Sequence, residues 1–161
     1  MTPEASTDWA AVPLDELIPH RQAMRLLSRV VQCEGERLVA EADITPEHLF
    51  LNSDPTAEGV GAWVGIELMA QAVAAWAGVQ RRAREGGEPR VGLLLGTRRY
   101  RCTLAHFALG QCLQVHVERQ YQADNGLGQF ACSIWLQGSE VAQAQLTVFE
   151  PSDIQEFLSH E

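Results

Sequence analysis

A single carboxylate lies within the most apolar stretch of this chain. Residues 59–79 read GVGAWVGIELMAQAVAAWAGV, and Glu67 is the only charged side chain among them. An ionised carboxylate buried without partners is costly, so it usually serves in proton transfer or is neutralised by a nearby arginine. Gln71 follows one helical turn later, which places its amide on the same helix face as the Glu67 carboxylate. The pattern favours proton transfer, with a structural glutamate as the alternative.

The segment around Glu67 is predicted to be a buried helix. It begins near Ala62 and ends around Gly86-Gly87, where two glycines are a strong stop signal. Its length would also suit a membrane span. The central Glu67, the many Ala and Gly residues and the globular flanking sequence favour a core helix, so we expect no membrane contact.

Strand patterns lie on both sides of this helix. Met24–Gln32 and Arg37–Ile44 read as a hairpin that turns at Gly35, and Thr45–Gly61 reads as a loop. Beyond Pro89, the predicted strands are Val91–Thr103, Gln111–Gln122, Leu127–Gln137 and Val141–Phe149, with Asn125-Gly126 as a hairpin turn and a short terminal helix from Pro151.

The order of these elements predicts the fold class. Two strands precede the helix and four follow it, and a helix that is apolar on every side must be covered by the apolar face of the sheet. We therefore expect an α+β fold in which a curved antiparallel sheet of about six strands wraps around one long central helix. At 161 residues, the chain is expected to form one domain, 1–161.

The charge of the chain is unevenly distributed. The net charge is −9, which argues against a nucleic-acid binder, and the absence of lysine excludes a Schiff-base or Walker-type lysine. Residues 81–101 hold seven arginines against two glutamates, a local balance of +5 that leaves −14 for the rest. This cluster suits phosphate recognition or, equally, a solvated helix end and strand face.

No metal site, cofactor or secretion signal is indicated. The four cysteines lack a CxxC spacing, and His106 and His116 have no second ligand at metal spacing. The first residues lack the basic and apolar regions of a signal peptide. We expect free thiols, no cofactor and a cytoplasmic location.

Two motifs resemble those of the hot-dog-fold 3-hydroxyacyl-acyl-carrier-protein dehydratases. The opening motif is similar to residues 17–21 (LIPHR) and 24–30, and the central-helix motif is similar to residues 67–72 (ELMAQA). Residues 62–67 (AWVGIE) most resemble the divergent dehydratase-like proteins of aryl-polyene gene clusters.

The resemblance implies a reaction and roles for specific residues. The family reversibly eliminates water from a 3-hydroxyacyl thioester held on the phosphopantetheine arm of acyl carrier protein. Glu67 would be the catalytic carboxylate, with Gln71 positioning it, and the helix start at Gly61, Ala62 and Trp63 would bind the thioester carbonyl.

The catalytic histidine of the family has no direct counterpart here. The family places it fourteen residues before the carboxylate, where this chain has Ser53. His48 would take the role if the loop were five residues longer, and His20 of the opening motif is the other candidate. A chain without a catalytic histidine is the third reading.

The resemblance also implies partners. The fold forms dimers whose active sites use residues of both chains, so we expect a homodimer or a heterodimer with a related hot-dog protein. An acidic carrier protein would be attracted to the arginine cluster, and we assign carrier binding to Arg81, Arg82 and Arg84.

Two other functions fit the same residues. In a hot-dog thioesterase, Glu67 would activate water and the reaction would release a free thiol. Alternatively, the chain would be a catalytically weak subunit that binds acyl carrier protein or supports a complete dehydratase. The serine at position 53 favours this last alternative.

Overall fold

The structure, a computed structural model, describes residues 8–19, 24–48, 50–51, 59–84 and 93–149. It contains one long helix, a six-stranded sheet, a small two-stranded sheet and two short 3₁₀ helices, Trp9–Ala11 and Leu14–Glu16. This is the α+β architecture that the order of the sequence patterns predicts.

The large sheet is antiparallel throughout and has the order β1-β2-β6-β7-β8-β4 in the numbering of the chain. Its strands are β1 (Arg29–Glu34), β2 (Arg37–Asp43), β4 (Leu93–Cys102), β6 (Cys112–Gln122), β7 (Leu127–Leu136) and β8 (Ser139–Phe149). The small sheet pairs β3 (Gly59–Gly61) with β5 (His106–Ala108).

Alternation along the strands explains which face of the large sheet covers the helix. In β6, Leu113, Val115 and Val117 are buried, while the residues between them are more exposed. Successive side chains of a strand point to opposite faces, so every second residue contributes to the core. The inner face of the sheet is therefore apolar and the outer face polar.

The helix α1 (Val64–Arg84) supplies the other half of the core. Leu68, Met69, Ala72 and Ala75 have no exposed surface, and small residues allow the sheet to approach closely. No described helix combines the length and hydropathy needed to cross a membrane. The buried side chains of this helix form part of the hydrophobic core.

Packing near the end of α1 is tight. A Cβ atom at Gly78 would overlap the backbone carbonyl of Leu17, so only glycine allows this approach. Trp76 donates its indole N–H to the carbonyl of Gly35 at 2.9 Å, and the guanidinium carbon of Arg119 lies 4.8 Å from its ring centroid. Trp76 is thus part of the core packing.

Several boundaries differ from the sequence prediction. The first strand begins at Arg29 rather than Met24, and the helix begins at Val64 rather than near Ala62. Residues 59–61, predicted as loop, form β3, because β5 offers them a pairing edge. The predicted helix from Pro151 and the Gly86-Gly87 stop lie outside the described residues.

Candidate active site

Gln71 is completely buried and ties the central helix to the segment before β1. Its side-chain oxygen accepts hydrogen bonds from the backbone N–H groups of Leu26 (2.8 Å) and Leu27 (3.3 Å). Its amide nitrogen donates to the carbonyl of Met24 at 2.7 Å. Because the two backbone N–H groups can only donate, the Gln71 atom they contact must be its oxygen. The NH₂ group of Gln71 therefore faces the remaining acceptors.

The remaining acceptor is Glu67. The Gln71 amide nitrogen lies 3.4 Å from the Glu67 carboxylate oxygen Oε1, at the long end of hydrogen-bond distances. Glu67 is half-buried, unlike the fully buried Gln71. The pair that the sequence spacing predicted therefore exists, with a fixed amide beside a carboxylate that still reaches partly exposed space.

Two large apolar side chains are exposed near this pair. Trp63 lies one helical turn before Glu67 and is 54% exposed, and Met24, whose carbonyl binds Gln71, is 56% exposed. Where exposed apolar side chains form a contiguous patch, they mark a surface that contacts a ligand or another protein. Gln71 thus contacts both the Glu67 carboxylate and the backbone of Met24, one of these two exposed apolar residues.

The start of the helix is held by hydrogen bonds on both sides of Ala62. The Ala62 N–H donates to Ala105 at 3.1 Å, and its carbonyl accepts from the Gly65 N–H at 3.0 Å and from the Tyr100 hydroxyl. A Cβ atom at Gly65 would overlap that hydroxyl, so glycine at this position allows the contact. Ala62 therefore has no spare N–H for a substrate.

The next two N–H groups differ from that of Ala62. In the part of the chain that the structure describes, neither the Trp63 nor the Val64 N–H donates to a backbone carbonyl. Helices leave their first N–H groups without intrahelical acceptors, and these groups attract negative charge. Of the predicted carbonyl-binding residues, Trp63 has a suitable N–H, whereas Gly61 lies buried in β3.

His48 lies beside the aromatic residues of this region. Its ring centroid is 6.2 Å from that of Phe50, and Phe50 contacts Trp63 edge to face at 5.0 Å. The backbone N–H of Phe50 donates to His48 Nδ1 at 3.1 Å. A neutral histidine that accepts at Nδ1 carries its proton on Nε2.

The Nε2 atom of His48 is buried and has no hydrogen-bond partner among the described residues. Burial also lowers the pKa of His48, because the charged imidazolium is less well solvated inside the protein. In this conformation His48 offers a hydrogen-bond donor at Nε2, whereas a general base needs a free lone pair.

His20 and Ser53 lie outside the described residues. His106 lies in β5, and His116 lies in β6 on the outer face, where its ring is 5.6 Å from Trp135. Among the described residues, no group of three or more His, Cys, Asp or Glu side chains is arranged to hold a metal ion.

The three arginines assigned to carrier binding lie at the far end of α1. Arg81 is only 4% exposed, and Arg82 forms an ion pair with Glu16 at 2.5 Å. The Arg84 side chain lies outside what the structure describes. Their role in carrier binding stays a prediction.

Two contributors to the site were not predicted from the sequence. Tyr100 holds the helix start through Ala62, and Met24 supplies both a carbonyl and an exposed side chain. The sequence placed Tyr100 in a predicted strand, but its partner across 38 residues depends on tertiary structure. Burial raises the pKa of the Tyr100 hydroxyl well above its usual range, which keeps it a donor.

Comparisons with known proteins identify the family of the chain. A sequence model of the ApeP-like family, described as ApeP dehydratase, matches residues 12–159. Among solved structures, a chain of the dehydratase heterocomplex ApeI:P from Xenorhabdus doucetiae is similar to this chain with a TM-score of 0.82 and 26% identity. The match covers 93% of this chain and 98% of that one.

More distant matches show the fold alone. A Streptococcus mutans protein, smu.793, bound to acetyl CoA matches with a TM-score of 0.54 and 16% identity, over 75% of this chain and 86% of that one. The S. sahachiroi protein AziG matches with a TM-score of 0.58 and 12% identity, over 78% and 90%. No curated protein matches the chain. The fold is the hot-dog fold, and the chain belongs to the ApeP-like dehydratase family.

Proposed function

We propose that this chain takes part in the dehydration of 3-hydroxyacyl thioesters on acyl carrier protein, as one subunit of a dimer with a related hot-dog protein. The observation that carries the proposal is the half-buried Glu67 beside a fixed Gln71 amide, in a chain of a dehydratase family. The ApeI:P heterocomplex supports a partner of the same fold.

The reaction requires a base, an acid and a group that polarises the carbonyl. A base removes the proton next to the thioester carbonyl, and the Trp63 and Val64 N–H groups stabilise the negative charge that develops on the carbonyl oxygen. The C–O bond to the hydroxyl then breaks, and Glu67 donates the proton that completes the departing water. In reverse, the same groups add water to the enoyl thioester.

We assign the base to the second hot-dog subunit. In this chain the family's histidine position is Ser53, and the hydrogen bond from Phe50 holds the His48 proton on Nε2. His48 would become a base at Nε2 only after its proton moved to Nδ1, which would oppose the Phe50 N–H. His20 and His48 of this chain are the competing candidates.

The chain should be assayed alone and together with a related hot-dog dehydratase from the same organism, using a 3-hydroxyacyl thioester on acyl carrier protein. Mass spectrometry follows the loss of one water, or its addition to the enoyl thioester. We expect turnover only with both proteins present, and we expect His48→Gln and His20→Gln to retain it.

Three results would contradict the proposal in different ways. Turnover by the isolated chain that is lost in His48→Gln or His20→Gln would return the base to this chain and favour a homodimer. Release of free thiol without an enoyl product would indicate a thioesterase. Full activity of the Glu67→Gln variant in the complex would remove the acid role of Glu67.

A further inference from the structure

Three arginines on strand β4 make no ion pair with any carboxylate that the structure describes: Arg98, Arg99 and Arg101. All three are exposed. Five other arginines are paired with carboxylates, namely Arg25, Arg29, Arg37, Arg82 and Arg119. In a chain with a net charge of −9, three adjacent arginines without carboxylates form a distinct cationic surface, here called the β4 arginine row.

The register of β4 with β8 places two members of this row opposite neutral groups, whereas Arg99 lines a concavity that also contains Glu140. Arg98 lies opposite Gln145 and Arg101 lies opposite Gln143, both exposed, on the outer face of the sheet. The register shifts between Arg98 and Arg101, and Arg99 adopts a positive φ of 56° within this bulge. Bulges redirect side chains at sheet edges, and β4 is an edge strand of the described sheet.

The strand that carries this row also contacts the start of the helix. Tyr100, between Arg99 and Arg101, turns inward and binds the carbonyl of Ala62 at the start of the helix. Arg82, by contrast, is fifteen residues beyond Glu67 on the same helix, a rise of about 22 Å. Arg82 is therefore distant from the helix start, which β4 contacts through Tyr100.

We propose that the β4 arginine row is the docking site for the acidic surface of acyl carrier protein. The proposal rests on the proposed function, because it identifies the macromolecule that presents the substrate to the site at Glu67. An acidic carrier protein is repelled by the net negative charge of this chain, so its approach requires a local surface of opposite sign. The three arginines of the row, which form no ion pair with a described carboxylate, supply that surface.

The arginines at the end of the helix are less suited to this task. Arg82 would have to give up Glu16, and Arg81 is buried. Exchange of one ion pair for another at a surface gains little free energy, whereas a new pair at an unoccupied arginine adds attraction. Substitution of the β4 arginine row should therefore weaken carrier binding, whereas substitution of the paired arginines should have little effect.

The test uses two triple variants with the same change in net charge. One variant carries Arg98→Gln, Arg99→Gln and Arg101→Gln, and the matched control carries Arg25→Gln, Arg37→Gln and Arg82→Gln. The probe is apo-acyl carrier protein, which lacks the phosphopantetheine arm and therefore its phosphate. Binding is measured by fluorescence anisotropy at low and high salt, on the chain alone and in complex with its hot-dog partner.

We expect the β4 variant to bind apo-carrier about tenfold or more weakly at low salt, and the control to change by about threefold or less. The difference should shrink as salt is added, because exposed charges are screened. Equal loss in both variants would overturn the proposal. Binding of the holo-carrier alone would overturn it too, because the arginines would then recognise the phosphate of the arm.

Two further measurements keep the outcomes separate. Turnover of a 3-hydroxyacyl pantetheine thioester, which has neither carrier nor phosphate, should be unchanged in the β4 variant. Failure of wild-type protein to dehydrate any thioester would contradict the proposed function while leaving carrier docking at β4 intact. Should the triple variant unfold, Arg98→Gln and Arg101→Gln tested singly must each weaken apo-carrier binding for the proposal to hold.

Discussion

The two ends of the central helix differ in how far their described side chains are buried and bonded by the rest of the chain. At the far end, Trp76 donates to Gly35, Gly78 contacts Leu17, and Arg82 pairs with Glu16. At the near end, Trp63 is exposed and Glu67 is only half-buried. Among the described residues, the far end, here called the closed end, is covered by the chain's own side chains, whereas the near, open end exposes Trp63 and part of Glu67.

This difference indicates which end of the helix contributes mainly to stability and which end contributes to function. Core packing gives stability, and groups left open beside a carboxylate give chemistry or assembly, which usually costs some stability. Gln71 lies between the two ends and shares features of both, since it is fully buried and yet contacts Glu67. The following predictions test whether activity and stability separate along the helix in this way.

The largest expected effect is a loss of activity from a substitution at the open end. Glu67→Gln should lower dehydration in the two-protein assay by about 100-fold or more, because the amide cannot donate an acidic proton. The free energy of unfolding should change little. Glu16→Gln, a carboxylate at the closed end, is the control and should retain activity. Equal losses of activity in both variants would show that the two ends do not differ.

The second prediction concerns the residue between the two ends. Gln71→Ala removes the partners of Leu26, Leu27 and Met24 backbone groups and should lower the unfolding free energy by about 3 kcal/mol, since buried polar groups lose their hydrogen bonds. Urea denaturation measures the loss. Gln80→Ala, which removes one exposed hydrogen bond to Gly35, should cost less than about 1 kcal/mol.

A smaller effect is expected from overpacking the closed end. Gly78→Ala places a methyl group against the Leu17 carbonyl and should destabilise the protein by about 1–3 kcal/mol. Turnover per folded molecule should be retained, because Glu67 is three turns away. Gly96→Ala, at a position with no neighbouring atom within 4 Å, is the control. A loss of turnover larger than the loss of folded protein would contradict the separation.

The smallest effect is a pH dependence at the open end. The lowered pKa of His48 means that the unfolded chain binds a proton there before the native protein does. Between that lowered pKa and about 6.5, stability should therefore fall as the pH falls, and His48 should contribute nothing above this window. Protonation of Nδ1 would also oppose the Phe50 N–H.

His48→Gln should make the decline of stability between pH 7 and pH 5 shallower. Thermal unfolding at several pH values measures this, and the two proteins are compared through the change in their unfolding free energy. An unchanged slope would show that the pKa of His48 is the same in the native and unfolded states.

The strands and the helix were predictable because their patterns are local. Leu113, Val115 and Val117 alternate in the sequence, and Asn125-Gly126 occupies a turn with Gly126 at a positive φ of 97°. The three-residue strands β3 and β5 were not predicted, since their pairing depends on each other and too few residues are involved to form a pattern.

The candidate site was predictable in part for the same reason. The spacing of Glu67 and Gln71 on one helix face is local, and the structure has the two side chains in contact. The partners of Gln71 lie more than 40 residues earlier, so its role as a link to the segment before β1 depends on tertiary structure. The same holds for the burial of Arg81, whose exposed charge the sequence had led us to expect.

The position of the central helix in the chain has a consequence for synthesis. The helix ends at Arg84, but the last strand that covers it ends at Phe149. A ribosome adding roughly 5–20 residues per second needs about 3–13 s to make the intervening residues. During that time the helix that carries Glu67 is complete but only β1 and β2 of its large sheet have been made, whereas β6, β7 and β8 emerge later in succession as adjacent strands. The protein's most apolar segment is therefore synthesised several seconds before most of the strands that bury it. Protection of the nascent chain should matter most in this interval.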